Sequence, residues 1–372
     1  MERRQFLQCA QICGAGLLGV GGATVAQAGE AETASSATQM KPLTLRPYQL
    51  LCTVCSLGEE GDASAKPYAK CRQIREAIRK NPDMPITLAC HAGPMYAYQE
   101  SGTQDDTPES DEFNRKRDLD VLQILGLAPG CTLPARALFK TLLMGVSTIS
   151  GLCSYSTVTG DAWKGCPKAD SANYERGYEK GINALIAPRT EEEMAEEKKK
   201  SLAALQAAKE VPVRPHIVVC AVCQYGEGLR PGYKEDNLPE LLDLILNRNP
   251  DLPIKMTPGA DWMICAPCPG RSPALNSCTH VWGSGELDSQ KRDLDFLQKV
   301  GLKFGSVVKG RELYRLIFER ITTTHGIPDI CLKYNGQPSV WWDECCGCLY
   351  QGNPKVKYEK GKREMMRKLK LA

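Results

Sequence analysis

The stretch Arg214-Pro215-His216-Ile217-Val218-Val219-Cys220-Ala221-Val222-Cys223, with its continuation Gly259-Ala260-Asp261-Trp262-Met263-Ile264-Cys265-Ala266-Pro267-Cys268-Pro269 and the later Cys278, decides how the chain is read. Its apolar run Ile217-Val218-Val219 predicts a short strand that delivers one Cys-x-x-Cys. A helix and a second strand follow, and a loop then brings Cys265, Cys268 and Cys278. Two residues between cysteines let both sulfurs turn toward one point, as a tetrahedral metal or an iron–sulfur cluster requires.

The same segments recur earlier in the chain. Arg46-Pro47-Tyr48-Gln49-Leu50-Leu51-Cys52-Thr53-Val54-Cys55 matches Arg214 to Cys223 at an offset of 168, and Asn81-Pro82-Asp83 matches Asn249-Pro250-Asp251 at the same offset. Arg117-Asp118-Leu119-Asp120 matches Arg292-Asp293-Leu294-Asp295 at an offset of 175, and Tyr178-Glu179-Lys180-Gly181 matches Tyr358-Glu359-Lys360-Gly361. Four matches in one order predict an internal duplication. The expected fold class is α/β, as two tandem copies of a small Cys-rich strand–helix–strand–helix–helix unit. Leu238, Leu241, Leu242, Ile245 and Leu246 give one helix an apolar face, and Leu119, Leu122, Leu125, Leu313, Leu316 and Ile317 do so for later ones. The boundaries are 46–186 for the first repeat and 214–370 for the second. Between them, 187–213 carries a charged helix with five Glu ahead of Lys198-Lys199-Lys200. That order suits the helix dipole and reads as a solvated linker. The basic run Lys355 to Lys370 reads as a solvated helix too.

The second stretch resembles the bacterial and archaeal Cys-rich family catalogued as domain-of-unknown-function family 1284. That family runs Arg-Pro-His-His-Leu-Leu-Cys, then Gly-x-Gly-Tyr, then Gly-x-Asp-Asp-Ile-Cys. The corresponding residues here are Arg214 to Cys220, Gly226-Glu227-Gly228 with Gly232-Tyr233, and Gly259 to Cys265. A single His216 stands where the family has two, and Trp262-Met263 replaces its second Asp. The resemblance implies an iron–sulfur centre and assigns no activity.

Met1 to Ala28 reads as a twin-arginine signal: Arg3-Arg4-x-Phe6-Leu7, an apolar Gly/Ala-rich run, and Ala26-Gln27-Ala28. Gly14-x-Gly16-x-x-Gly19 lies inside that run without a βαβ context and is no dinucleotide fingerprint. Residues 29–45 read as a flexible leader. The expected location is periplasmic or extracytoplasmic, with no membrane span after signal removal. Loss of Glu2, Arg3 and Arg4 would take the net charge from +3 to +2, which speaks against a nucleic-acid partner.

Eighteen cysteines are present, and sixteen remain once Cys9 and Cys13 leave with the signal. Cys52, Cys55, Cys153 and Cys166 of the first repeat correspond to Cys220, Cys223, Cys331 and one of Cys345, Cys346 or Cys348, of which Cys346 is taken here. Each set is either a complete four-thiolate site or two disulfides. The second repeat alone adds Cys265, Cys268 and Cys278. The first places Glu100, Asp105, Asp106, Glu109, Asp111 and Glu112 in that region, read as a solvated loop, and adds Cys71, Cys90 and Cys131, read as a local disulfide plus a spare thiol. The cofactor ligands expected are Cys220, Cys265, Cys268 and Cys278. The wider metal set adds Cys223, Cys331 and Cys346, and the secondary set is Cys52, Cys55, Cys153 and Cys166. An iron–sulfur cluster is the expected cofactor and zinc the alternative, with a redox partner protein.

No Cys-x-x-Cys is followed by His, which excludes the covalent haem motif, and the four His residues (His91, His216, His280, His325) disfavour an imidazole zinc site. His216, four residues before Cys220, would share a strand face with it as an orienting group, a ligand or a plain structural histidine. A thiol–disulfide oxidoreductase is disfavoured because no helix end lies close behind the first Cys. The contrasting class is a non-enzymatic, disulfide- or zinc-stabilised binding module.

Overall fold

The computed structural model describes residues 41–59, 69–92, 107, 109–279, 285–324, 327–332, 335–336 and 354–371. The signal segment, most of the leader, Glu100, Asp105, Asp106, His280, His325, Cys345, Cys346 and Cys348 lie outside them.

The fold is mixed α/β. In the first half, β1 (Leu43–Leu45), α1 (Tyr48–Gly58), α2 (Ala69–Lys80), β2 (Pro85–Leu88), α3 (Asp111–Leu125), β3 (Thr132–Pro134) and α4 (Ala135–Gly145) follow one another. The short helices α5 (Asn173–Glu179) and α6 (Ile182–Leu185) close it. β1 pairs parallel to β2 (Leu43 with Ile86, Leu45 with Leu88), and β2 pairs antiparallel to β3. α7 (Glu191–Ala207) leads to β4 (Val211–Val213), α8 (Ile217–Glu227) and α9 (Leu238–Asp243), which continues as a π-helical turn over Leu244–Arg248. Then come β5 (Pro253–Met256), α10 (Trp262–Cys265), β6 (Arg271–Ser272), β7 (Ser277–Cys278), α11 (Gly285–Val300), β8 (Val307–Lys309) and α12 (Gly310–Arg320). β9 (Thr323–Thr324), β10 (Ile327–Pro328) and α13 (Pro354–Leu369) complete the described chain. The second sheet has the first one's pattern: β4 parallel to β5 (Val211 with Ile254, Val213 with Met256), β5 antiparallel to β8.

The segments bearing Cys-x-x-Cys are helices, not the strands expected at Leu50-Leu51 and Ile217-Val218-Val219. The strands sit just upstream, in what was read as leader and linker. The misreading has a physical cause: every residue of α1 is buried, and a helix covered on all sides shows no amphipathic period to distinguish it from a buried strand. β3 and β8 were not expected. In α3, Leu122 and Leu125 are buried as anticipated, while Leu119 is exposed. The α9 face is buried throughout.

α7 begins at an N-cap, Thr190 Oγ1 accepting from the Glu193 amide at 3.1 Å. It packs more closely than a solvated linker would. Ser201 and Leu205 are buried, Lys198 Nζ lies 2.8 Å from Glu240 Oε1, and Trp262 Nε1 donates to Glu197 at 2.7 Å. α13 likewise buries Tyr358, Met365 and Leu369, with Lys357 paired to Glu227.

Two glycine crossings fix the Cys-x-x-Cys helices. A Cβ on Gly58 would lie 1.9 Å from the Asn173 carbonyl oxygen, and one on Gly177 2.1 Å from that of Val54. A Cβ on Gly226 would lie 1.8 Å from the Lys357 carbonyl oxygen, and one on Gly361 2.1 Å from that of Val222. Backbone thus meets backbone where α1 crosses α5 and α8 crosses α13, which only glycine permits. Beside each crossing a buried tyrosine hydroxyl donates to a carbonyl: Tyr174 to Val146 at 2.7 Å, Tyr358 to Ile321 at 3.5 Å. The residues in the roles of Tyr358 and Gly361 are therefore Tyr174 and Gly177, one turn before the Tyr178 and Gly181 that sequence matching chose. The Tyr-x-x-Gly-Tyr-x-x-Gly run offers both registers four residues apart, so letters alone cannot choose.

Candidate thiolate cavities

Within both halves a buried Arg–Asp pair holds the turn between first strand and first helix. Asp293 on α11 accepts from Arg214 Nε at 2.8 Å and from the His216 amide at 3.1 Å, with His216 Nδ1 at 2.7 Å. Asp118 on α3 accepts from Arg46 Nε at 2.8 Å and the Tyr48 amide at 3.0 Å. The preceding arginine on each helix points elsewhere, to sulfur. Arg292 Nη2 lies 3.4 Å from Cys331 Sγ and 3.8 Å from Cys220 Sγ, and Arg117 Nη1 lies 3.7 Å from Cys153 Sγ. Adjacent residues on a helix face different directions, so one dipeptide serves frame and site together.

In the second half a cavity of about 100 Å³ is lined by Cys220, Cys265, Cys268 and Cys278, with His216, Asp236, Arg271 and Arg292. These are the four expected cofactor ligands, drawn from α8, α10, the turn after it, and β7. Asp261 organises the loop: it caps α10 by accepting from the Ile264 amide at 2.9 Å and accepts the Arg214 amide at 3.1 Å. Cys223 and Cys331 are buried outside the cavity lining, Cys331 against Arg292. Cys346 lies outside the described residues.

His216 stands ahead of α8 rather than on a strand. Burial first, and then Arg292, push its pKa down to about 4, so the ring is neutral at pH 7. With Asp293 at Nδ1, that nitrogen carries the proton, and Nε2 is the nitrogen with a lone pair. A carboxylate behind a histidine is the usual support of a metal-ligating imidazole.

A second cavity, of about 200 Å³, is lined in the first half by Cys52, Cys55, Cys153 and Cys166, the whole secondary set, with Thr107, Glu109, Arg117 and Lys168. Cys52 and Cys55 share a face of α1 through i,i+3 spacing, and the Cys166 amide donates to the Cys153 carbonyl at 2.8 Å. Glu109, expected in a solvated loop, is 4% exposed. Cys71 does not join this lining; it hydrogen-bonds Cys52 from α2. Cys90 and Cys131 lie near one another, and no disulfide joins any two described cysteines.

Burial pushes the Cys153 thiol up to about 11 and Cys166 to about 12, and it raises Cys55, Cys265 and Cys331 as well. For Cys52 the Cys71 contact raises the pKa most, followed by burial. Such thiols are protonated at neutral pH and poor nucleophiles, which goes against thiol–disulfide exchange. They would lose their protons on gaining a metal. Among the described residues no three His, Cys, Asp or Glu side chains converge closely enough to hold a single metal ion. The sulfurs instead stand around voids.

Arg117, Arg292, Glu109 and Asp236 were missed as cavity residues. Arg117 and Arg292 had a visible signal in the repeated Arg-Asp-Leu-Asp, which reads as repeat punctuation until the fold shows where each side chain points. No family model, curated protein or solved structure matches the chain.

Proposed function

We propose that the protein is an exported Cys-rich protein whose second half holds an iron–sulfur cluster through Cys220, Cys265, Cys268 and Cys278. It would serve as a redox or electron-transfer accessory to a partner protein. The observation that carries the reading is the meeting of these four cysteines, from α8, α10, the turn after it and β7, around one cavity. The donor set fits the group. Four thiolates bind iron–sulfur clusters or zinc alike, but a single zinc would hold its thiolates about 3.8 Å apart, given Zn–S bonds of ~2.3 Å. Sulfurs set around a void suit a group whose own atoms fill the space. Arg271 and Arg292 supply positive charge beside the thiolates, and His216 adds a neutral imidazole nitrogen. The cluster would supply one-electron chemistry, and the chain would hold it and shield it from water.

The reading includes two tandem copies of one unit. It is supported by the two matching sheets, the two glycine crossings and the paired Arg–Asp devices. Export rests on the Arg3-Arg4-x-Phe6-Leu7 start, since the twin-arginine route carries folded, cofactor-loaded proteins. The test is anaerobic purification followed by visible absorption, iron and acid-labile sulfide analysis of wild type and Cys268→Ser. Iron with sulfide that Cys268→Ser diminishes is the expected result. A protein with only zinc, or with all mature cysteines in disulfides, would refute the reading.

A further inference from the structure

We infer that the first half carries an iron–sulfur centre of its own, held by Cys52, Cys55, Cys153 and Cys166 in the cavity walled by Glu109 and Arg117. This shares the thiolate chemistry of the second-half site but none of its residues, so the two stand or fall separately.

Three observations lead to it. The void itself is the first. At about 200 Å³ it has room for far more than one water molecule, where packed protein normally leaves few such voids. Four cysteines border it, brought together from helix α1 and from a segment about a hundred residues later.

The second is Glu109. Its side chain is 4% exposed and borders the cavity, yet neither carboxylate oxygen has a hydrogen-bond partner. Arg117 Nη2 stands 3.5 Å from its Oε2. Buried polar atoms without partners are rare, and a carboxylate only accepts, so water or another donor must share the cavity with whatever the cysteines hold.

The third is Arg117. Its side chain is fully buried, its guanidinium lies 4.0 Å from the Tyr48 ring centre and 4.9 Å from that of Phe113, and its Nε has no partner. A guanidinium cannot give up its proton, so it is a fixed positive charge turned toward sulfur. Thr107 Oγ1 and Glu109 Oε2 face the same guanidinium at 2.9 and 3.5 Å, so part of that charge is already met. Four thiolates around a cluster leave net negative charge, which Arg117 would offset in a medium of low dielectric. On loading, each thiol gives its proton to solvent as its sulfur–iron bond forms; sulfide and iron come from outside the chain, the iron as ferric salt of which added dithiol reduces part to ferrous, and no protein thiol is oxidised.

The Cys52–Cys71 contact is the built-in rival. If those two formed a disulfide, Cys52 would be lost as a ligand. The experiment is anaerobic reconstitution of the full chain with ferric salt, sulfide and dithiothreitol, reading iron and sulfide per chain. Wild type, Cys153→Ser, Cys166→Ser, Cys268→Ser and the Cys153→Ser/Cys268→Ser double variant are compared, each checked for folding by its thermal transition. Cys166 is only half-buried, so its serine variant tests the site even if Cys153→Ser fails to fold. The expected result is that Cys153→Ser and Cys166→Ser each lose about half of the iron and the double variant loses all. Retention of wild-type iron and sulfide by Cys166→Ser overturns the inference. So does a Cys52–Cys71 disulfide in protein isolated under exclusion of oxygen, or uptake of zinc alone by the first-half cysteines. If Cys268→Ser abolishes all iron, this inference fails and the second-half reading stands; if Cys268→Ser changes nothing while Cys166→Ser removes the iron, the reverse holds.

Discussion

Replacing Gly226 with alanine puts two effects of opposite sign against each other. In a helix interior, Gly→Ala by itself stabilises by about 1 kcal/mol. Here the new methyl would sit 1.8 Å from the Lys357 carbonyl oxygen, 2.7 Å from its carbon and 2.9 Å from the Gly361 nitrogen. All three are backbone atoms, so no side chain can swing away. An ordinary carbon contact needs about 3.5 Å, so α8 and α13 must separate by more than an ångström. Overpacking of this kind costs about 1–3 kcal/mol or more. Parting the helices also uncovers Val222, Tyr358 and Met365, all buried; every 40 Å² of apolar surface exposed adds about 1 kcal/mol. The net expectation is a loss of about 2–4 kcal/mol. Gly145→Ala is the control, since there the nearest atom is the Ile124 side-chain methyl at 3.1 Å, which can yield. Urea midpoints of both variants measure the difference. A Gly226→Ala protein as stable as Gly145→Ala would refute the close-crossing argument.

Asp293→Ala strands Arg214 in a fully buried site and should cost about 3–5 kcal/mol in denaturant unfolding. Lys291→Ala, from a surface pair with Asp295, should cost under about 1 kcal/mol. For pH, the folded-state His216 pKa near 4 lies below the ordinary 6.5, so between those values the unfolded chain takes up a proton that the folded chain refuses. Wild-type stability relative to His216→Gln should therefore fall as pH drops from 6.5 to 4, by at most ~1.4 kcal/mol per unit; parallel unfolding curves of the pair would contradict this. Stripping metal from loaded protein with a chelator should lower the thermal midpoint, and reloading should release protons measurable in weakly buffered solution. Arg3→Lys with Arg4→Lys should leave the precursor in the cytoplasm, as cell fractionation would report.

Both sheets could be anticipated as strands near the Arg-Pro turns and after the Asn-Pro-Asp turns, but the first of each pair was placed several residues late. Helix α1 hid because it is buried on every side, and α8 because all but Ile217, Cys220 and Glu227 are buried, which leaves little amphipathic period to read. The cysteine cavities were more legible than the elements around them: spacing grouped Cys52 with Cys55, and Cys265 with Cys268, and order along the chain supplied the rest. Glu109 was illegible because a carboxylate in a Gly- and Pro-containing stretch looks solvated until the chain folds over it. Asp236 and Arg271 likewise become cavity residues only through contacts between distant segments.

Ser272 Oγ donates to Asp83 Oδ2 at 2.5 Å, Lys140 Nζ to the Thr279 carbonyl at 2.7 Å, and Arg189 Nη1 to the carbonyls of Ala266 and Cys268 at 2.8 Å each. Every one of these bonds runs from the second half's cysteine loop to residues upstream of α7. The loop that supplies Cys265, Cys268 and Cys278 is therefore moored to the first half, and severing the chain between the halves would loosen it although no ligand had been removed. Thermodynamic reciprocity follows. If stiffening Asp83, Lys140 or Arg189 tightens the second cavity's grip, filling that cavity must in turn steady the first half. Hydrogen bonds join the two halves, and neither should be expected to keep its full properties when produced alone.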